Sequence, residues 1–187
     1  MGIDFKRYYK LLGDEKITYK DGALPELVGI GLTNWQMLKG VKKILDIGCG
    51  NGFWANTLKN LKYNIYQCDI NVETNGLENI YQCDMHNLEP FTNKEFDFVF
   101  CNGTFEHSLA PFILLCEINR VLEVGGLAFI NYPKDDNSEL LALPQHINIL
   151  SYHAFVNLAI KTGFSIEKSA GVHGHMTFLL KKEKDIE

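Results

Sequence analysis

The sequence predicts an open α/β sheet that is mostly parallel and carries an antiparallel hairpin at its C-terminal end. From residue 43 onward, short apolar segments alternate with amphipathic stretches, as in a parallel sheet covered by helices on both faces. A glycine cluster follows the first of these segments, at residues 48–52. Only six residues separate the last two apolar segments, which is too few for a parallel crossover, so these strands are expected to run antiparallel.

Length and composition indicate one globular domain over residues 1–187. The 187 residues are 46% hydrophobic and 22% charged, and a chain of this size buries about 70% of the surface that it exposes when unfolded. The chain is too short for a separate substrate domain. We expect a helical lid at residues 1–40, and a core at residues 41–187 with an insertion at residues 133–150.

Charge and hydropathy exclude some classes of partner. The formal net charge of −5 disfavours non-specific binding to the phosphate backbone of nucleic acids. Residues 140–160 contain no charged side chain, but Pro144 and several polar residues interrupt them, so we expect no membrane span. The first residues lack the apolar core of a signal peptide, and we therefore expect a cytoplasmic protein.

Neither the cysteines nor the histidine pair near the C-terminus predicts a metal site. The five cysteines lie 15 to 19 residues apart, without the C-x-x-C spacing of zinc ligands. Their apolar surroundings indicate buried, reduced thiols. His173 and His175 flank Gly174, but no third ligand is spaced to join them, so a solvated turn is expected there.

The first part of the chain changes from helical to strand patterns. Two amphipathic stretches, residues 3–12 and 24–38, open the sequence, and Pro25 occupies a favourable first-turn position in the second. Residues 43–47 then form a short apolar segment that ends at the glycine cluster, and apolar residues at helical spacing follow at 53–61. This order predicts a strand, a tight turn and a helix.

The middle of the chain predicts three strands and one helix. Residues 64–68 and 79–83 are strand segments, and the connection between them at 70–78 is short for a parallel crossover. We expect a single helical turn there, or none. Residues 96–101 are nearly all apolar, as in a strand covered on both faces. Residues 111–122 form an amphipathic helix that two glycines are expected to stop.

The C-terminal part predicts one more parallel strand, a helix and the hairpin. Residues 127–132 form the strand. Ser151 can cap a helix that runs to Lys161. Residues 164–169 and 176–181 form the two strands of the hairpin.

The glycine turn lies where open parallel sheets bind ligands, beyond the carboxyl end of a strand. Gly48, Gly50 and Gly52 permit a sharp turn and a close approach of a ligand to the main chain. A dinucleotide fingerprint would need its third glycine at Phe53, so the segment does not favour a phosphate ligand. The carboxylate of Asp46, before the first glycine, also opposes a phosphate and suits a cationic or amino-bearing ligand.

Residues 44–52, with the sequence ILDIGCGNG, resemble the first motif of class I S-adenosylmethionine-dependent methyltransferases. The resemblance implies a Rossmann-like class I methyltransferase fold and S-adenosyl-L-methionine as the cofactor. It also implies that the turn with Gly48, Gly50 and Gly52 lies under the methionine part of the cofactor. In the same way, it implies that Asp46 helps to hold the cofactor's amino group, through ordered water in many members.

Three further segments occur in the order that this family has. Residues 96–102 resemble its fourth strand, residues 104–108 its leucine-glutamate-histidine turn, and residues 120–126 the segment before its fifth strand. Val124 departs from the usual proline and Phe105 from the usual leucine. Together with the first motif, the resemblance covers roughly residues 41 to 182 in order and without large gaps.

A repeated segment predicts two further cofactor contacts. NIYQCD occurs at residues 64–69 and again at 79–84, so two parallel strands each deliver an aspartate to the carboxyl edge. Asp69 lies 23 residues beyond Asp46, near the interval at which an acid binds ribose hydroxyls. The alternatives are coincidence, and a structural role for both aspartates as residues that start turns.

The resemblance assigns a role to the residues around these aspartates. Asp69 would accept both ribose hydroxyls, and Ile70 would pack on adenine. Asp84 would accept the adenine amino group, and Met85 would offer its main-chain amide to the ring. Asn102, at the end of the segment that resembles strand four, completes the predicted cofactor-binding set.

Methyl transfer from a sulfonium releases a neutral thioether, so the chemistry requires positioning and, for a hydroxyl nucleophile, a base. Glu106 and His107 lie just past the fourth strand, and His107 is neutral near pH 7 by its reference pKa. His146, in the insertion, is the second candidate base. The alternatives are a capping role or packing on the cofactor for Glu106 and His107, and a substrate hydrogen bond or a structural loop position for His146.

The absence of two motifs reduces the range of methyl acceptors that we expect. Asn102 is not followed by the prolines of nucleic-acid amino methyltransferases, and Cys101 does not follow a proline as in cytosine-C5 enzymes. We therefore expect a small, hydroxylated acceptor under a closing lid, and a nucleic-acid partner is not favoured. A homodimer, metal dependence, and the choice between oxygen and nitrogen as nucleophile are left open. The alternatives are a methyltransferase of protein or structured RNA, and a non-catalytic S-adenosylmethionine-binding protein.

Overall fold

The computed structural model describes residues 38–60, 62–71, 79–136, 138–172 and 174–186. Within these ranges, the strands are β1 Lys43–Ile47, β2 Asn64–Asp69, β3 Ile80–Gln82, β4 Phe96–Asn102, β5 Leu122–Pro133, β6 Phe164–Val172 and β7 His175–Lys182. They form one sheet in the order β3-β2-β1-β4-β5-β7-β6.

The direction of the strands confirms the predicted architecture. β1 pairs in parallel with both β2 and β4, and the parallel pairing continues outward to β3 on one side and β5 on the other. β7 is antiparallel to both β5 and β6, so the C-terminal hairpin enters the sheet with its second strand innermost. This is the predicted open sheet, mostly parallel with an antiparallel C-terminal hairpin.

The described helices are α1 Phe53–Asn60, α2 Pro111–Val121, α3 Ser138–Leu141 and α4 Tyr152–Lys161, with a 3-10 turn at Phe105–His107. The predicted cap of α4 is present, because Ser151 Oγ accepts a hydrogen bond from the main-chain N–H of Ala154 at 3.4 Å. No described helix has the length and apolar character that crossing a lipid bilayer requires.

The fifth strand does not begin where its sequence pattern predicts, so that prediction is wrong. β5 begins at Leu122, five residues earlier than predicted, because Leu122 already pairs with Phe96 across a register irregularity. Gly125 and Gly126 therefore lie inside the strand and do not follow a helix end. A Cβ on Gly126 would come within 2.9 Å of the carbonyl oxygen of Glu123, so a side chain would not fit at this bend.

Apolar side chains cover both faces of the sheet, as the predicted order of elements requires. Val99 and Cys101 of β4 lie in one buried cluster, and Phe98 and Phe100 lie in a second cluster on the other face. β4 is therefore buried on both sides. The prediction of buried thiols holds for three cysteines, whereas Cys83 and Cys116 are only partly buried.

Several predictions lie outside the described residues. These are the two N-terminal amphipathic stretches up to residue 37, most of the connection at 72–78, and His173. The helical lid and the short crossover therefore stay predictions.

Candidate functional site

The strand order changes direction at β1, which places a ligand-binding crevice at its carboxyl end. From β1 the chain builds the sheet toward β2 and β3, then returns to add β4 on the other side. Ligands of open α/β sheets bind at such a switch point. The turn after Ile47 and the segment after Asn102 meet there, because Thr104 Oγ1 donates a hydrogen bond to the carbonyl oxygen of Ile47 at 3.1 Å.

The glycine turn packs against Thr104 at Gly48 and is open at Gly50 among the described residues. Gly48, Gly50 and Gly52 all have positive φ angles, of 71°, 52° and 75°. A Cβ on Gly48 would lie 2.2 Å from Thr104 Oγ1, so this glycine lets the segment after β4 pack against the turn. A Cβ on Gly50 would meet no atom within 4 Å among the described residues. The side on which a Cβ would lie is therefore filled by Thr104 at Gly48 and open among the described residues at Gly50.

Asp46 is a buried carboxylate beside this turn. Its side chain is 2% exposed, and its Oδ2 atom has no hydrogen-bond partner among the described residues. Burial raises the pKa of Asp46 to about 8, with a further contribution from the negative charge of Asp69. A cationic group bound in the crevice would compensate this carboxylate.

Asp69 is the last residue of β2, and its carboxylate joins the glycine turn after β1 to the turn after β2. Its Oδ2 accepts a hydrogen bond from the main-chain N–H of Gly50 at 3.0 Å, and its Oδ1 accepts one from Asn71 at 2.9 Å. The second bond is the turn-starting role considered as an alternative above. Ile70, the predicted adenine contact, is partly buried beside it.

Asp84 lies in a short hydrogen-bonded chain that the sequence analysis missed. Its Oδ1 accepts from the main-chain N–H of His86 at 2.8 Å and lies 2.7 Å from His86 Nδ1. His86 Nε2 in turn lies 2.8 Å from Ser108 Oγ, just after the 3-10 turn. Asp84 is thus fixed at the carboxyl edge and also starts a turn. Met85, the predicted partner of the adenine ring, is partly buried and packs against the core.

Asn102 lies at the end of β4, where the sequence placed it. Its side chain is buried, and it stands opposite Asn131 in the parallel pairing of β4 with β5. The main-chain N–H of the next residue, Gly103, donates a hydrogen bond to the carbonyl oxygen of Asn131 at 3.1 Å. Asn102 therefore lies inside the switch point, two residues before Thr104 and three before the start of the 3-10 turn.

The three candidate bases lie together. One ligand-type atom from each of Glu106, His107 and His146 lies within 4.8 Å of the other two. The rings of His107 and His146 meet edge to face, with 5.0 Å between their centroids. The sequence proposed Glu106 and His107 together and His146 separately, so the fold is what brings His146 to the other two, from the insertion after β5.

The insertion is attached to the 3-10 turn by its main chain. The N–H groups of Ile147 and Asn148 both donate to the carbonyl oxygen of Glu106 at 3.0 Å. His107 Nδ1 lies 2.9 Å from the carbonyl oxygen of Gln145. A carbonyl oxygen only accepts, so Nδ1 carries the proton and Nε2 presents a lone pair.

Burial changes the protonation of this group. The pKa of His107 is lowered, mainly by burial and then by the neighbouring His146, so the imidazole is neutral near pH 7. Burial also raises the pKa of Glu106 to about 8. The side chain of Glu106 is 3% exposed, and its Oε2 has no hydrogen-bond partner among the described residues.

Comparison with known proteins points to one family. A family model described as "Methyltransferase domain" matches residues 45–130. The chain is 28% identical over 122 residues to a tRNA U34 carboxymethyltransferase of Nautilia profundicola, covering 54% of this chain and 38% of that protein. It therefore spans about two fifths of the length of this curated relative.

Solved structures share the fold. The PH0226 protein from Pyrococcus horikoshii OT3 superposes with a TM-score of 0.72 at 16% identity, covering 94% of this chain and 99% of that chain. The 1,6-didemethyltoxoflavin-N1-methyltransferase of Burkholderia thailandensis, solved with 1,6-didemethyltoxoflavin and S-adenosylhomocysteine, has a TM-score of 0.65 at 18% identity. Its match covers 79% of this chain and 74% of that chain.

The sheet order, the glycine turn at its switch point and the solved structures agree that the fold is that of the class I S-adenosylmethionine-dependent methyltransferases, and residues 45–130 match a methyltransferase-domain model. The cofactor of this family is S-adenosylmethionine, and the residues present fit it. Asp46 offers a buried carboxylate oxygen without a hydrogen-bond partner in the described part of the chain, which suits the positive charge of the cofactor's amino group. The open side of Gly50 leaves room directly above the turn.

Proposed function

We propose that the protein transfers the methyl group of S-adenosylmethionine to a small, hydroxylated molecule. The observation that carries this proposal is the docking of the insertion onto the 3-10 turn. The carbonyl oxygen of Glu106 accepts two main-chain hydrogen bonds from Ile147 and Asn148. At the carboxyl edge of the sheet, where we place the cofactor, this attachment brings one buried carboxyl group together with two partly buried imidazoles. An enclosed polar group of this size suits a small acceptor better than the surface of a macromolecule.

The placement of the strand ends supports the cofactor-binding roles in this proposal. Asp46 faces the amino group, Gly48, Gly50 and Gly52 lie beneath the methionine part, and Asp69 accepts the ribose hydroxyls. The Asp69 oxygen that accepts from Gly50 also fixes the turn, so ribose binding and turn geometry are coupled.

The adenine end of the cofactor is assigned to the next strand. Asp84 accepts the adenine amino group, with Ile70 and Met85 beside the ring. His86 supports this assignment, because it is bonded to Asp84 Oδ1 and restricts how that carboxylate can turn. Asn102 completes the set at the switch point.

S-adenosylmethionine supplies an electrophilic methyl carbon on a positive sulfur that leaves as a neutral thioether, so the protein has no leaving group to protonate. The task left to the side chains is to take the proton of the acceptor hydroxyl. His107 Nε2 can accept this proton, because Nδ1–H already donates to the carbonyl oxygen of Gln145 and because burial lowers the pKa of the ring, which keeps it neutral. Glu106 and His146 lie within reach to bind the acceptor or to share the proton.

We keep residues 1–40 as the proposed lid over the reacting pair. Of these, only residues 38–40 are described, and Leu38 is buried in the apolar cluster that contains Phe98 and Phe100. The described end of the proposed lid therefore lies at one face of the sheet. Closure of a lid over the site would exclude water from the reacting groups.

A structured RNA is the second candidate acceptor, because the curated relative is a tRNA U34 carboxymethyltransferase. The charges at the switch point favour the small molecule. The acidic side chains placed there are Asp46, Asp69, Asp84 and Glu106. Because burial raises the pKa of Asp46 and of Glu106 to about 8, the negative charge that disfavours a phosphate backbone near pH 7 comes from the carboxylates of Asp69 and Asp84.

The test is to follow the methyl group. The full-length protein is incubated with S-adenosylmethionine labelled in its methyl group and with a cell extract separated into low-mass, RNA and protein fractions. We expect label to enter the low-mass fraction, with an Asp69→Ala variant, whose cofactor binding is weakened, as the control at a limiting S-adenosylmethionine concentration. Label that enters only RNA would replace the proposal with its alternative. Label in no fraction, although the cofactor binds, would contradict both.

A further inference from the structure

Glu106, His107 and His146 bring three metal-ligand atoms to one place. One carboxylate oxygen and one nitrogen from each ring lie within 4.8 Å of one another. The first two residues follow β4, and the third comes from the insertion after β5, so only the folded chain assembles the group. We propose that these three side chains form a binding site for one divalent transition-metal cation.

The carboxylate of Glu106 is the first argument. It is 3% exposed, and its Oε2 accepts no hydrogen bond from any described residue. A buried carboxylate without a partner is costly, and proteins compensate such groups with a proton, a cationic side chain or a metal. The neighbours that the structure supplies are two imidazoles, which are metal ligands when neutral.

The orientation of His107 is the second argument. Its Nδ1–H donates to the carbonyl oxygen of Gln145 at 2.9 Å, so the lone pair is on Nε2. Histidines that bind metals usually donate their other ring N–H to a carbonyl or a carboxylate, which fixes the tautomer and the direction of the ring. His107 already has this arrangement.

The attachment of the loop is the third argument. Ile147 and Asn148, directly after His146, donate their main-chain N–H groups to the carbonyl oxygen of Glu106. The N–H of His146 itself donates to the carbonyl oxygen of Leu143 at 3.0 Å. Two main-chain hydrogen bonds thus position the third ligand against the first two, and a third holds the turn that carries it; a site needs this kind of support to bind a cation in a defined geometry.

The ligand types select the class of cation. Two imidazoles and one carboxylate favour zinc, cobalt or ferrous iron over magnesium or calcium, which prefer oxygen ligands. Three protein ligands leave a coordination position for water or a substrate oxygen. If the proposed function is correct, the acceptor hydroxyl would take that position, and its pKa would fall. Cation binding itself does not depend on the acceptor.

His107 Nε2 cannot be a ligand and a proton acceptor at the same time, so the test must detect the metal directly. The full-length protein, treated with a chelator and then freed of it, is titrated with Co²⁺ alone and followed by visible absorption and calorimetry. We expect one equivalent to bind with the absorption bands of nitrogen-ligated Co²⁺. Glu106→Gln, His107→Asn and His146→Ala should each weaken binding at least about tenfold, the order of effect known for lost site partners.

Two controls separate ligation from folding. His107→Asn keeps an N–H donor for Gln145 while it removes the Nε2 ligand. His153→Ala removes an exposed ring on α4 and should leave Co²⁺ binding unchanged. In the wild-type protein, Co²⁺ should broaden the ring NMR signals of His107 and His146 and spare those of His153, a readout that needs no variant.

Absence of saturable Co²⁺ binding, or equal affinity in the wild-type protein and all three ligand variants, would overturn the site. S-adenosylmethionine affinity, measured by calorimetry on the same samples, keeps this result separate from the proposed function. A protein that binds the cofactor but not Co²⁺ would contradict only the metal site. A protein that binds Co²⁺ through the three ligands while the methyl label enters RNA would support the metal site and contradict only the acceptor.

Discussion

The main-chain N–H of Gly50 donates a hydrogen bond of 3.0 Å to the carboxylate of Asp69, which joins the glycine turn after β1 to the end of β2. The same carboxylate accepts from Asn71 through its other oxygen. Asp69 therefore sets the shape of the turn as well as the charge beside it. In the proposed function, this carboxylate is the partner of the ribose hydroxyls.

Asp69→Ala should weaken binding of S-adenosylmethionine by about tenfold to a hundredfold, because hydrogen bonds to a charged group contribute about 1.5–3 kcal/mol. Asp69→Asn should lose less of this affinity, since the amide oxygen can still accept the hydrogen bond from the N–H of Gly50. Calorimetry with S-adenosylmethionine and S-adenosylhomocysteine measures both. Asp135→Ala, at an exposed aspartate after β5, is the control and should bind as the wild type does. Unchanged affinity in Asp69→Ala would refute the ribose assignment.

Gly50→Ala should reduce cofactor affinity at least about tenfold, because the added methyl group enters the open space above the turn. The positive φ of 52° should also cost about 1–2 kcal/mol in folding stability. Gly125→Ala is a matched control, since Gly125 also has a positive φ and an open side but lies near the start of β5, at the end of the strand opposite the site. Calorimetry and urea denaturation should show similar stability losses in both variants and an affinity loss only in Gly50→Ala.

Gly48→Ala should behave differently from Gly50→Ala. The added methyl group would overlap the side chain of Thr104, whose Oγ1 would lie 2.2 Å away. We expect a larger loss of unfolding free energy than for Gly50→Ala, and partial recovery in the double variant with Thr104→Gly, because the overlap is then removed. Equal stability of the two single variants in urea denaturation would show that the contact between the turn and the segment after β4 contributes little.

The local parts of this architecture could be predicted from the sequence, and the long-range parts could not. The turn from Gly48 to Gly52 and the strand before it depend on neighbouring residues, so their pattern is visible along the chain. The early start of β5 depends on the pairing of Leu122 with Phe96, which no local pattern reveals.

The same limit applies to the site. The sequence named Asp84 but not His86 or Ser108, because the link from His86 Nε2 to Ser108 Oγ spans 22 residues. The spacing Asp-x-His at residues 84–86 was the available signal, and it is too common to identify a bonded pair. The contact of His107 with the loop of His146 has the same origin, since the bond to Gln145 spans 38 residues.

The pH dependence of folding should reveal the buried Asp46. Its pKa is about 8 in the folded protein and 3.8 as the reference value, so between these pH values the folded state binds the extra proton. The free energy of unfolding therefore falls as pH rises through this range, by at most about 1.4 kcal/mol per pH unit for this group. Glu106 contributes with the same sign.

Asp46→Asn removes one of these two contributions, so its stability should fall less steeply with pH. Urea denaturation at pH 5, 6, 7 and 8 gives the slopes for both proteins. In the wild type, S-adenosylmethionine affinity should rise up to about pH 8, because the bound amino group favours the ionised carboxylate. Identical pH slopes of stability in the two proteins would show that Asp46 is ionised in the folded protein throughout this range.

The rate of methyl transfer should depend on the neutral form of His107. Because burial lowers the pKa of this imidazole, the rate should rise with pH to a plateau, and the midpoint should lie below the reference value of 6.5. The expectation holds whether Nε2 takes the hydroxyl proton or binds a cation, since a proton on Nε2 prevents both. Comparison of the profile before and after treatment with a chelator distinguishes the two roles.

His107→Asn should lower kcat by about 10²–10⁴-fold, the usual contribution of a general base, and remove the acid limb of the profile. The cofactor affinity should change little, because the variant keeps a donor for Gln145 and leaves the glycine turn intact. The measurement is kcat against pH from 5 to 9 with the acceptor found by methyl labelling, with calorimetry on the same samples. A variant that keeps both the rate and the acid limb would assign the proton transfer to another group, and His146 would then be the next residue to replace.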